Sequence, residues 1–96
     1  MDISEIIWLP VVEDKLASKH RLSTDEAEEA FASNPLITFI ERGRVQGEDV
    51  YAAWGRTDTG RYVVAFFIWK LAGDALVLSA RDMTDKERRY YARTHG

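Results

Sequence analysis

Tyr62-Val63-Val64-Ala65-Phe66-Phe67-Ile68-Trp69 is the stretch on which the fold turns. It is apolar or aromatic at every position, rich in β-branched and aromatic types, and far short of the ~18 residues that cross a bilayer as a helix. A strand without polar alternation is buried on both faces, so residues 61–70 are expected to form a central strand with material packed on each side. Upstream, Asp58-Thr59-Gly60 is a tight-turn signal, and Val50–Arg56 before it reads as a second strand. Downstream, Ala72-Gly73-Asp74 turns the chain into a further strand over residues 75–80. Leu36–Glu41 reads as the first strand, followed by a loop over residues 42–49 with two glycines. Short turns between neighbours imply antiparallel pairing.

Helices are expected on both sides of this block. Pro10 suits a first helical turn, where its missing donor costs nothing, and a helix over residues 10–20 places Val12 and Leu16 inward. Ser23 followed by Glu26 has the capping-box spacing, and Ala27, Ala30 and Phe31 make the apolar stripe of a second helix that Asn34-Pro35 ends. Thr84 and Glu87 repeat that spacing ahead of a last helix over residues 85–93. The expected fold is therefore α+β: two N-terminal helices, a four-stranded antiparallel sheet and a C-terminal helix, in one domain spanning residues 1–96.

Composition narrows the function classes. With 96 residues there is room for one core, and with no cysteine there is neither a disulfide nor a thiolate metal site. Residues 1–5 carry two acids where a signal peptide needs bases, so the expected compartment is the cytoplasm, with no membrane partner. The net charge of −3 argues against a strong nonspecific nucleic-acid binder, yet it is unevenly spread. Residues 1–35 hold 3 basic and 8 acidic residues, whereas residues 36–96 hold 10 and 8, which leaves room for a local basic site.

Three stretches together resemble one family. They are Lys15-Leu16-Ala17-Ser18-Lys19-His20 with Ala27-Glu28-Glu29-Ala30-Phe31 and Asn34-Pro35; Tyr51-Ala52-Ala53-Trp54-Gly55-Arg56-Thr57-Asp58-Thr59-Gly60-Arg61; and Ser79-Ala80-Arg81-Asp82-Met83-Thr84-Asp85-Lys86-Glu87-Arg88-Arg89-Tyr90-Tyr91. In order and spacing the chain resembles the BrnT-like toxins of bacterial type II toxin–antitoxin systems. The resemblance implies a fold similar to the RelE-type ribonuclease toxins and a metal-independent endoribonuclease that blocks translation. It also implies a cognate antitoxin that neutralises the toxin, and promoter DNA bound only indirectly, through that antitoxin.

Metal-free RNA cleavage uses the substrate's own 2′-hydroxyl as nucleophile. It needs a proton acceptor, a donor for the leaving oxygen and positive charge around the phosphate. Arginine suits the last task because its planar fork pairs two oxygens and keeps its charge. Arg56 ends the second strand, and Arg81 and Arg88 bracket the start of the last helix, so these three are the candidate phosphate contacts. Thr84, Arg88 and Tyr91 share a helix face, and Glu87 and Tyr91 lie four apart. His20 or Glu87 is the candidate proton-transfer group, and Lys15, Lys19 and Tyr91 are candidate RNA contacts.

Each of these has a plainer use. Glu87 can cap its helix, His20 can cap carbonyls, and Arg88 can pair with Asp85. The lysines can be a solvated face, and an Arg–Asp tie across the sheet would occupy Arg56 or Arg81. Trp54, Tyr62, Phe66, Phe67 and Trp69 are assigned to the core, and His95 to a frayed end. The two histidines are far apart in sequence, so no metal or cofactor is assigned. The leading function is a ribonuclease toxin, with RNA and an antitoxin as partners. The alternatives are a catalytically inactive module that acts with an antitoxin and a stand-alone dimerising protein. Carboxylates neutralising every arginine would favour the module; a concave positive patch would favour the enzyme.

Overall fold

The computed structural model describes residues 1–95. Its elements are β1 (Ile6–Ile7), α1 (Pro10–Lys15), a π-helical turn (Leu16–His20), α2 (Thr24–Ala32), β2 (Leu36–Glu41), β3 (Val50–Arg56), β4 (Tyr62–Trp69), β5 (Ala75–Asp82) and α3 (Asp85–His95). The α+β class stands as expected.

The sheet has five strands in the order β1-β5-β4-β3-β2, so the unbroken apolar run does occupy its centre. Strands β2 to β5 pair antiparallel. The expected four-stranded antiparallel sheet is corrected at one edge: Ile6 and Ile7 pair in parallel with Ala75 and Leu76. Two residues are too few to show a period of two, which is why this strand is invisible in the pattern.

Alternation along the strands sorts their side chains onto two faces. Ala53, Val63, Ala65, Phe67, Val77 and Ala80 meet Val12, Leu16, Leu22, Ala27, Ala30 and Phe31 from the N-terminal helices. Phe67, Leu16 and Leu22 are essentially fully buried, and each contributes about 1.5–3 kcal/mol by leaving water. On the opposite face Ala52, Val64 and Met83 meet Tyr91, the one residue that α3 buries among those described. Gly55 lets α2 lie close to the sheet: a Cβ there would stand 2.4 Å from the Ala30 carbonyl oxygen.

The helix expected over residues 10–20 is not uniform. After Lys15 it widens into the π-helical turn, which ends at Arg21 in the left-handed region (φ 50°). The wide turn lets Leu16 and Leu22 both reach the core, while Val11 stays exposed. Ser23 and Glu26 form the expected capping box, and Asn34 adopts φ 56° before Pro35. Strand β5 runs past residue 80 to Asp82, so Arg81 belongs to the strand. Helix α3 continues to His95, whose ring stacks on Tyr91 with centroids 5.3 Å apart, in place of the expected frayed end. Among the described residues no helix is long and apolar enough to cross a membrane.

Candidate functional site

The site begins at the hairpin between β3 and β4. Thr57 N–H donates to the Arg61 carbonyl and Gly60 N–H to the Thr57 carbonyl, both at 2.9 Å, with Gly60 at φ 92°. This turn places Arg56 directly opposite Tyr62. Both point to the α3 face, and the Arg56 guanidinium carbon lies 4.6 Å from the Tyr62 ring centre. Arg88, on the second turn of α3, reaches the same ring from the helix, at 4.2 Å. Neither guanidinium has a carboxylate partner among the described residues. Two cations without a carboxylate partner therefore share one aromatic platform, Arg56 also donating from Nη2 to the Gly60 carbonyl at 3.5 Å.

Arg81, paired with Val64 across the ladder, points to the same face. Its Nη1 and Nη2 donate to Glu87 Oε1 and Oε2 at 2.7 and 3.0 Å. Glu87 also completes the second capping box. Its Oε1 accepts from Thr84 N–H at 2.8 Å, and its own N–H donates to Thr84 Oγ1 at 3.2 Å. The Arg81 guanidinium first, and after it the Thr84 amide, hold the Glu87 carboxyl down at about 2 against the upward push of burial. Tyr91 is 9% exposed and sits edge-on to Tyr62; burial pushes its phenol upward.

Arg61 fills the role imagined for an Arg–Asp tie, on the other face. It donates to both carboxylate oxygens of Asp82 and to Glu26 Oε2, each at 3.0 Å, and to the carbonyls of Arg21 and His20 at 2.9 and 3.3 Å. Its donors are consumed in fastening the helical layer to the sheet.

The candidates thus fall into two groups. Arg56, Arg81, Glu87, Arg88 and Tyr91 converge around Tyr62 and the start of α3. His20 belongs to the π-helical turn in the opposite layer, at the same end of the sheet, with its carbonyl on Arg61. Lys15 and Lys19 are exposed in that layer. Tyr62 and Arg61 are the two residues that site reasoning from the sequence missed. The signal was present: a hairpin closed between Thr57 and Arg61 must pair Arg56 with Tyr62, and the pleat must send Arg61 to the other face.

What this face offers is anion recognition: two guanidiniums with no carboxylate partner among the described residues, Arg56 making one long bond to the Gly60 carbonyl at 3.5 Å, and a third held by a carboxylate. Among the described residues no three histidines or carboxylates converge as metal ligands would. Residues 8–87 match the family described as ribonuclease toxin, BrnT, of type II toxin-antitoxin system. The chain belongs to the BrnT family. The matched stretch contains His20, Arg56, Tyr62, Arg81 and Glu87 and stops just short of Arg88. No match was found among curated proteins. BrnT membership makes this chain one of a family of ribonuclease toxins, and a type II system implies a cognate antitoxin as its partner.

Proposed function

We propose that this BrnT member is a metal-independent endoribonuclease on a RelE-like fold. In this reading it cuts RNA in the cytoplasm, arrests translation and is neutralised by its antitoxin. The observation that carries the reading is the pair of unpaired guanidiniums, Arg56 and Arg88, held over Tyr62. A phosphate brought to this ring gains charge-assisted contacts from arginines that the ring already helps to hold in place. The adjacent 2′-hydroxyl attacks that phosphorus, the bond to the 5′-oxygen breaks, and a 2′,3′-cyclic phosphate and a 5′-hydroxyl result. The arginines stabilise charge that grows on the phosphoryl oxygens.

Of the two candidate proton carriers, Glu87 is engaged by Arg81 and Thr84 and is too acidic to take a proton at neutral pH. It therefore positions Arg81. His20, across the sheet in the opposite layer but at the same end, is left as the proton-transfer candidate, because histidine is the side chain suited to proton transfer near neutrality. Lys15 and Lys19 extend this end as RNA contacts, and Tyr91 acts through its packing on Tyr62.

The test is induction of the chain alone in bacteria, with growth and RNA integrity followed, and incubation of the purified protein with RNA in excess chelator. Arrested growth and cleavage in chelator are expected, and both are lost in Arg56→Ala and Arg88→Ala. Normal growth with intact RNA from folded protein would sink the enzyme. The second reading, an inactive module acting with the antitoxin, is favoured by the neutralisation of Arg81 by Glu87. It expects antitoxin binding with no cleavage.

A further inference from the structure

A groove of about 670 Å³ lies between α3 and the β2 edge, lined in part by Glu87. Ile40 and Trp54 form its apolar surface, Phe39 lines it at the strand edge while its ring turns to Tyr51 on the opposite face, and Lys86, Arg89 and Arg93 of α3 form its rim. Phe39 and Ile40 are 57% and 44% exposed. The Trp54 indole is held by its N–H donating to Thr38 Oγ1 at 2.9 Å. Among the described residues strand β2 pairs only with β3, so its outer backbone donors and acceptors are open. The three rim cations make no ion pair among the described residues. The carboxylate that lines the groove, Glu87, is spent on Arg81. A chain of net charge −3 therefore presents a positive rim over an apolar floor beside a free strand edge.

An RNA strand would use the cations and leave the strand edge and two exposed apolar side chains unused. An extended peptide uses all three: its backbone continues the ladder, its apolar side chains cover Phe39 and Ile40 on alternate faces, and its acids reach the rim. We infer that this groove docks an extended acidic and apolar segment of the antitoxin, added beside β2 as a sixth strand. The inference rests on membership of a toxin–antitoxin family and places the partner on a surface that contains neither Arg56 nor Arg88.

The experiment uses the purified full chain and the cognate antitoxin from the neighbouring reading frame. The variants are Ile40→Asp and the double change Arg89→Glu with Arg93→Glu, each checked for folding by thermal unfolding. Binding weaker by at least about tenfold in each is expected, with the loss from charge reversal shrinking as salt is raised. The amides of residues 36–41 in the parent chain should exchange more slowly in the complex. RNA cleavage by the free variants should stay within about twofold of the parent. Unchanged antitoxin affinity, unprotected amides, or no complex at all overturns the proposal. Lost RNA cleavage with antitoxin binding intact overturns it too and makes the groove an RNA surface. A parent chain that binds antitoxin through residues 36–41 but cleaves no RNA supports the proposal and overturns the ribonuclease reading alone.

Discussion

Glu87 grips Arg81 with both carboxylate oxygens, at 2.7 and 3.0 Å, while the nearer oxygen also accepts the Thr84 amide at 2.8 Å. One side chain thus starts α3, ties it to the end of β5 and orients a guanidinium on the candidate site. Helix α3 buries only Tyr91 among its described residues, so this polar clasp joins Tyr91 on Tyr62 and Tyr90 on Trp54 in attaching the helix.

Replacing the clasp should loosen the helix. Glu87→Gln keeps the shape and removes the charge, at a cost of about 2 kcal/mol, since a charge-assisted fork becomes weak neutral bonds. The melting temperature is expected to fall by roughly 10 °C in a calorimetric scan. An unchanged Tm would show that aromatic packing of Tyr90 and Tyr91 holds α3 without the clasp.

Acid should do the same work. A carboxyl held below its ordinary value stabilises the fold above that value, and the contribution is lost as pH falls through the depressed one. For Glu87 the window runs from 4.5 down to about 2. Glu26 is shifted in the same direction, first by the Ser23 amide and then by Arg61. Stability measured by urea unfolding is expected to be flat from neutral pH to about 5 and to decline below that. The decline should be shallower in Glu87→Gln.

Tyr62 should matter to RNA through its ring and not through its hydroxyl. Two guanidiniums packed on one aromatic ring are worth about 0.5–1 kcal/mol each. Tyr62→Phe should cleave RNA like the parent. Tyr62→Leu, which keeps apolar bulk but has no ring face, should lose about tenfold in kcat/KM. Equal losses in both variants would point to the phenol instead.

Salt dependence separates the two kinds of arginine. Removing a phosphate contact lowers the slope of log affinity for single-stranded RNA against log salt by about 0.7. Arg56→Ala and Arg88→Ala should each do so. Arg61→Ala should leave the slope alone and lower stability instead, because its donors already serve Asp82, Glu26 and two carbonyls.

Gly55 tests the approach of α2 to the sheet. The Cβ of Gly55→Ala would press on the Ala30 carbonyl oxygen at 2.4 Å, which forces the helix outward. A loss of about 1–3 kcal/mol is expected in denaturant unfolding.

Much of this molecule is legible in its residues. The apolar run from Tyr62 to Trp69 marks the central strand because only a strand covered on both faces tolerates such a pattern. The two capping boxes mark helix starts because a hydroxyl and a carboxylate three residues apart satisfy each other's backbone amides. These are local rules, and the family resemblance rides on the same segments. What they miss is short or non-local. Ile6 and Ile7 become a strand only because β5 offers an edge. The widening after Lys15 follows from the need to bury Leu16 and Leu22 together.

The candidate site divides along the same line. Arginines at 56, 81 and 88 were recognisable as residue types suited to phosphate, and that much belongs to the sequence. Which of them stays free was decided by tertiary structure. Residues six apart in the chain, Arg81 and Glu87, meet across a strand end, whereas Arg56 and Arg88, far apart in the chain, converge on Tyr62. The physical reason is that charge and chemical type are carried by each residue alone. Pairing, burial and the side of the sheet a residue faces are properties of the contacts that folding creates.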